Sequence, residues 1–138
     1  MAINYGSTVR TIWGSSGGDL DRYWRRVSGG EAVMHAILRR LITERGTLSW
    51  APSVGFDVRG LLNEAISSSS NAPLLAIQNY VRAECIADER VEDATVTASV
   101  NRSTAALTLS VDLQLSDNAT FSFVVAVSAL TLSVLSVR

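Results

Sequence analysis

Leu107-Thr108-Leu109-Ser110-Val111-Asp112-Leu113-Gln114-Leu115 alternates apolar and polar side chains without a break. Successive side chains of an extended chain point to opposite faces, so this order puts the aliphatic groups on one face and the polar groups on the other. That is the pattern of a half-buried strand. Upstream, Ala94, Val96, Ala98 and Val100 alternate with Thr95, Thr97 and Ser99; downstream, Phe121, Phe123, Val125 and Val127 alternate with Thr120 and Ser122. Asn101-Arg102-Ser103 and Ser116-Asp117-Asn118 supply the turns, and three antiparallel strands joined by hairpins follow.

Beyond these strands the apolar run continues from Val124 to Val137 through Leu130, Leu132 and Val134, longer than one hairpin strand needs. Two readings stand: a fourth strand of the same sheet, or an edge to which a partner adds a strand. A membrane span over Phe121 to Val137 is disfavoured, being short and interrupted by Ser122, Ser128, Thr131, Ser133 and Ser136.

Before Arg90 the period is near 3.6. Val33, Met34, Ile37, Leu38, Leu41 and Ile42 mark one face of a helix over Glu31 to Glu44, with Gly46 as its stop. Pro52 and Gly55 mark a loop in Thr47 to Gly55. Asp57 can cap a second helix bearing Val58, Leu61, Leu62, Ala65 and Ile66. After the short run Ser67 to Ser70, Asn71-Ala72-Pro73 opens a third, with Leu74, Ile77, Val81 and Cys85 on one face. The expected class is therefore α+β: three main helices packed on a small antiparallel sheet of three to four strands.

Residues 1–30 are rich in Gly, Ser, Arg and aromatics. They read as an extended N-terminal arm punctuated at Gly14 to Gly18 and Ser28 to Gly30. Between the two, Asp19 to Val27 begins acidic and ends basic, which suits the dipole of a short helix.

The chain has 138 residues, 47% hydrophobic and 18% charged, enough for one core. Its formal charge is -1, so no global field draws it to a polyanion. All twelve basic residues are arginines, whose planar forks favour carboxylate pairing and interfaces. A single cysteine excludes an internal disulfide, and the opening Met-Ala-Ile-Asn-Tyr lacks the shape of a secretion signal, so folding in the cytoplasm is expected.

Catalytic chemistry finds little footing. His35, the only histidine, lies among core positions of the first helix, and Cys85 reads as a small buried apolar group. No metal site and no cofactor are expected, and the Gly14 to Gly18 run lacks the Gly-Lys-Ser/Thr of a phosphate cradle. Two alternatives remain: a small hydrolase using the acids Asp88, Glu89, Glu92 and Asp93, and a single-stranded nucleic-acid binder using Arg22, Tyr23, Trp24, Arg25 and Arg26.

Taken in order, the stretch from Ile37 through Thr43-Glu44-Arg45-Gly46-Thr47-Leu48, then Pro52, Gly55 and Asp57-Val58-Arg59-Gly60-Leu61-Leu62-Asn63, resembles the gp25-like, or W-like, baseplate wedge family of contractile phage tails and related injection devices. Ala87-Asp88-Glu89-Arg90-Val91 matches that family's acidic-Pro-Arg corner at Asp88 and Arg90, while Glu89 stands where proline is usual. The resemblance covers roughly residues 31–127, so the chain divides into the arm, 1–30, and a wedge domain, 31–138. What it implies is a non-enzymatic structural protein of a virion tail or injection-device baseplate, in a multi-copy assembly with other wedge proteins and with tail sheath or tube proteins. Neither nucleic acid nor membrane is an expected partner. Under that reading the partner-binding residues are Asp88, Glu89 and Arg90 at the corner, Leu130, Leu132 and Val134 on the added-strand edge, and Trp13, Tyr23 and Trp24 as aromatic anchors.

Overall fold

A computed structural model describes residues 4–14, 17–43, 45–55, 65, 67, 70–127 and 132–137. The alternating segments form one antiparallel sheet in simple meander order: β5 (Val91–Asn101), β6 (Ala106–Leu115), β7 (Thr120–Val127) and β8 (Leu132–Val137). Register follows the apolar pattern. Val111 sits opposite Val96 on β5 and Phe123 on β7, and Leu109 opposite Ala98 and Val125. Slipping any of these pairings by one residue would turn its aliphatic groups to solvent, so burial fixes the register. Leu107, Leu109, Val111, Leu113 and Leu115 are all buried, as are Phe123, Val125 and Val127.

Two helices supply the other layer of the core. Helix α1 (Gly30–Ile42) buries Val33, Met34, Ile37, Leu38 and Leu41, and α2 (Ala72–Ile86) buries Ile77, Val81 and Cys85, as the period near 3.6 predicts. The start of α1 lies so close to the sheet that a Cβ on Gly30 would stand 2.5 Å from the Phe121 ring. Glycine there is a condition of packing.

The C-terminal apolar run is resolved in favour of a fourth strand, since β8 pairs with β7 from Val127↔Leu132 to Phe123↔Val137. Between Val124 and Val125 the register shifts, which leaves Leu135 as the extra residue of a bulge.

The expected architecture, three main helices on one sheet behind an extended arm, is overturned. Among the described residues there are two helices, and three antiparallel sheets rather than one. The expected second helix, Asp57 to Ile66, lies outside the described residues apart from Ala65, which has helical backbone and is buried. The larger correction is at the N terminus. No short helix forms over Asp19 to Val27, and no extended arm precedes the fold. Instead β1 (Ser7–Val9) pairs with β4 (Arg26–Ser28), and β2 (Thr11–Gly14) with β3 (Gly17–Leu20).

The physical reason sits at Asp21. Its buried carboxylate accepts from the Tyr23 backbone N–H at 2.8 Å and from Arg25 Nε at 2.6 Å, while Trp24 N–H donates to the Asp21 carbonyl at 2.9 Å. A side chain that satisfies nearby backbone donors in a turn competes with the helix, and here the turn wins. The ribbon is then held to the helix by Arg39. Its guanidinium donates to Thr8 Oγ1 at 3.0 Å, to the Val9 carbonyl at 2.8 Å and to Thr11 Oγ1 at 2.8 Å.

Candidate interaction surfaces

The corner between α2 and β5 is built around Asp88 and Arg90. Arg90 donates through Nε to Asp88 Oδ1 at 2.8 Å and through Nη2 to Oδ2 at 2.6 Å, a two-pronged pair, while its own backbone N–H donates to Oδ1 at 3.0 Å. The remaining prong, Nη1, donates to the Tyr5 carbonyl at 2.9 Å, across 85 residues of sequence. Arg90 therefore staples the N-terminal segment to the corner. Burial pushes the Asp88 carboxyl up, but the hydrogen bonds and charge of Arg90 outweigh it and hold the group below the usual carboxylate range. Its partner is raised, chiefly by the hydrogen bond to Asp88.

The other acids of the corner divide. Asp93 pairs with Arg82 at 2.8 Å, whereas Glu89 and Glu92 are exposed and have no ion pair among the described residues. With Asp88 and Asp93 each tied to an arginine, Glu89 and Glu92 are the acids left facing solvent uncompensated. Beside Glu89 lies an open groove of about 610 Å³ between Asn4–Gly6 and Ala87–Arg90, with Arg40 on its wall.

The aromatic anchors lie apart from this corner. Tyr23 and Trp24, each 66% exposed, stand at the tip of the Asp21 turn. Arg22 and Arg25 lie over the Tyr23 ring at 4.9 and 5.6 Å, and Arg26 donates to Ser7 Oγ at 2.9 Å. Trp24 has φ 54, in the left-handed region, which costs a side-chain-bearing residue roughly 1–2 kcal/mol. The backbone N–H of Tyr23, then Arg25, hold the Asp21 carboxyl below its usual range, so the turn's anchor stays ionised at neutral pH. Trp13 belongs to β2, opposite Gly18.

Of the edge residues, Leu132 and Val134 lie in β8, opposite Val127 and Val125, and Leu130 lies outside the described residues. Strand β8 closes the sheet: among the described residues only β7 is hydrogen-bonded to it.

No family model and no curated protein matches this chain in sequence.

Three features escaped the sequence reading. Trp50, 80% exposed, is carried on a loop made of two turns, Ala51 N–H to the Leu48 carbonyl and Val54 N–H to the Ala51 carbonyl, both at 3.1 Å. That loop is closed at its base, where a Cβ on Gly55 (φ 110) would stand 2.5 Å from the Thr43 carbonyl oxygen. Glu84 is the second: it is buried on α2, accepts from Arg45 Nη2 at 2.8 Å and lies 3.5 Å from Arg40 Nη1, tying α1, the loop and α2 together. Its position was legible, since it falls seven residues after Ile77 and three after Val81 on the apolar face. The third is Arg39, whose partners lie about thirty residues upstream and left no local signal.

His35 and Cys85 are both buried. Burial, with Glu84 and Asp88 adding to it, pushes the Cys85 thiol up to about 12, far from the thiolate a nucleophile needs. Burial likewise lowers His35 despite Glu31 nearby, so the ring is held neutral. Among the described residues no three His, Cys, Asp or Glu side chains gather as a metal site would, and no helix is long and apolar enough to cross a membrane.

Proposed function

We propose that this chain is a non-enzymatic structural component of a baseplate wedge in a contractile tail or related injection device, binding other baseplate proteins and joining them to the tail sheath or tube through a strand added at β8. The observation that carries the reading is the outer edge of the sheet. Strand β8 is hydrogen-bonded to β7 on one side, and its other side presents backbone donors and acceptors that no described strand satisfies. An unpaired edge on an apolar sheet is an association hazard unless something covers it. A partner strand would satisfy it backbone to backbone. The bulge at Leu135 breaks the regular ladder, so Leu132 to Val134 is the stretch on which an incoming strand registers.

The ordered run of motifs from Ile37 to Val91 supports the same reading through its resemblance to the wedge family. In this account the Asp88 and Arg90 match serves the chain itself: it stiffens the helix-to-strand corner where proline is usual and Glu89 stands instead. The exposed aromatics Tyr23, Trp24 and Trp50 then supply contact area toward neighbouring wedge proteins.

The test is affinity capture by the tagged full chain from cells producing its native particle, with mass spectrometry of what is retained. A chain ending at Val127 runs in parallel, its fold checked by circular dichroism. Baseplate and tail proteins with the full chain, and loss of the tail proteins with the shortened but folded chain, are the expected outcome. Retention of no such protein by the full chain would overturn the reading.

A further inference from the structure

We infer that the basic aromatic turn at Arg22 to Arg25 of one copy of this chain docks against the groove beside Glu89 of a second copy, so that copies join head to tail. The inference begins with charge distribution. Residues 1–50 hold seven arginines and four acids, whereas residues 51–138 hold five arginines and nine acids. A chain that is nearly neutral overall is thus polarised along its length, and two copies can pair unlike ends.

Both ends are built. The turn is fixed in shape by buried Asp21, and it holds Trp24 in the left-handed region while leaving it 66% exposed. Nothing within the fold is repaid for that conformation, and strain of this kind is retained where it presents a side chain to something else. Arg22 and Arg25 flank Tyr23, which surrounds an apolar tip with cations. At the other end, the groove of about 610 Å³ has room for an indole, and Glu89 at its rim, with Glu92 nearby in sequence, carries charge that no described residue neutralises.

Within one copy the two ends are held apart. Arg90 fixes the groove to the Tyr5 carbonyl, before β1, while the turn is tied to Arg10, after β1, by Asp21 N–H to the Arg10 carbonyl at 2.9 Å and Arg10 N–H to the Arg25 carbonyl at 2.8 Å. The intervening extended chain, at about 3.3 Å per residue, keeps the tip from its own groove. The contact therefore forms between copies. Because it joins two different surfaces, it builds a ring or an open chain rather than a two-fold dimer.

A nucleic-acid strand is the less suited occupant. Arg25 is bound to Asp21 and Arg26 to Ser7, so the cluster offers no row of free cations to follow a phosphate backbone. This contact uses neither β8 nor a tail protein, and its failure leaves the strand-pairing reading untouched.

Sedimentation velocity of the full chain over a wide concentration series, at low and high salt, tests it. The wild type should associate with rising concentration, less so in high salt. Arg22→Glu, Trp24→Ala and Glu89→Arg should each weaken association about tenfold or more. An equimolar mixture of Arg22→Glu with Glu89→Arg should restore association, because the reversed tip then meets the reversed groove and the native tip the native groove. A wild type monomeric throughout, single variants that associate like the wild type, or a mixture that stays monomeric would each overturn the inference. So would tight binding of an oligothymidylate lost on Arg22→Glu with no self-association.

Discussion

At the scale of single residues, this chain uses arginine as its long-range connector. Arg39 holds the N-terminal ribbon to α1, Arg90 holds it to the corner, and Arg45 ties the 47–55 loop to Glu84. Two pH windows follow from buried titratable groups. His35 has a lowered folded pKa, so the unfolded chain binds its proton first; stability is complete above about pH 6.5 and declines as pH falls from there to the folded value. Asp88 is also held low, so its contribution is present above its ordinary range, near pH 4, and is lost as pH falls through the still lower folded value. Urea titrations at a series of pH values should show both declines, and His35→Gln should remove the upper one only. Asp88→Asn should cost about 2–3 kcal/mol at neutral pH by leaving a half-buried Arg90 without its carboxylate. The Cys85 thiol should resist alkylation in the native protein and react on unfolding, which an iodoacetamide time course with and without denaturant will read.

Elements show how far local pattern reaches. The strands β5, β6 and β7 were legible because one face is buried and alternation has no other physical outcome; α1 and α2 were legible because their apolar residues recur every three to four positions. The first thirty residues were misread for an equally definite reason. Gly and Ser at Gly14 to Gly18 signal a turn, but they do not say whether the segments around it pair, and the acidic start of Asp19 to Val27 served a turn at Asp21 instead of a helix dipole. What decides the pairing is Arg39 and Arg90, whose partners are distant in sequence. Arg39→Ala should therefore speed amide exchange across Ser7–Val9 and Arg26–Ser28 while leaving β6 protected, at a cost of about 1–3 kcal/mol. The contact between α1 and the sheet is tighter still: Gly30→Ala drives a methyl into the Phe121 ring and should destabilise by about 1–3 kcal/mol in thermal or urea unfolding.

For the whole molecule, the layers leave a consistent division of labour. One face of the meander is filled by α1 and α2, the N-terminal ribbon is stapled to α1 and to the corner, and the sheet ends at β8 with one side unbonded among the described residues. The corner matched by sequence turned out to be an internal brace, which a pattern of charges could not distinguish from a partner site, because Asp88 and Arg90 are neighbours whose third partner, the Tyr5 carbonyl, is 85 residues away. The account's central claim is that β8 receives a strand from another tail protein. Amide hydrogen exchange over Leu132–Val137, measured by mass spectrometry in the free chain and in its complex with the captured tail protein, tests it most directly. The account predicts fast exchange at the outward-facing amides of β8 when free and strong protection there in the complex, with β5 to β7 unchanged. Equal exchange at β8 in both states, with protection elsewhere, would contradict it.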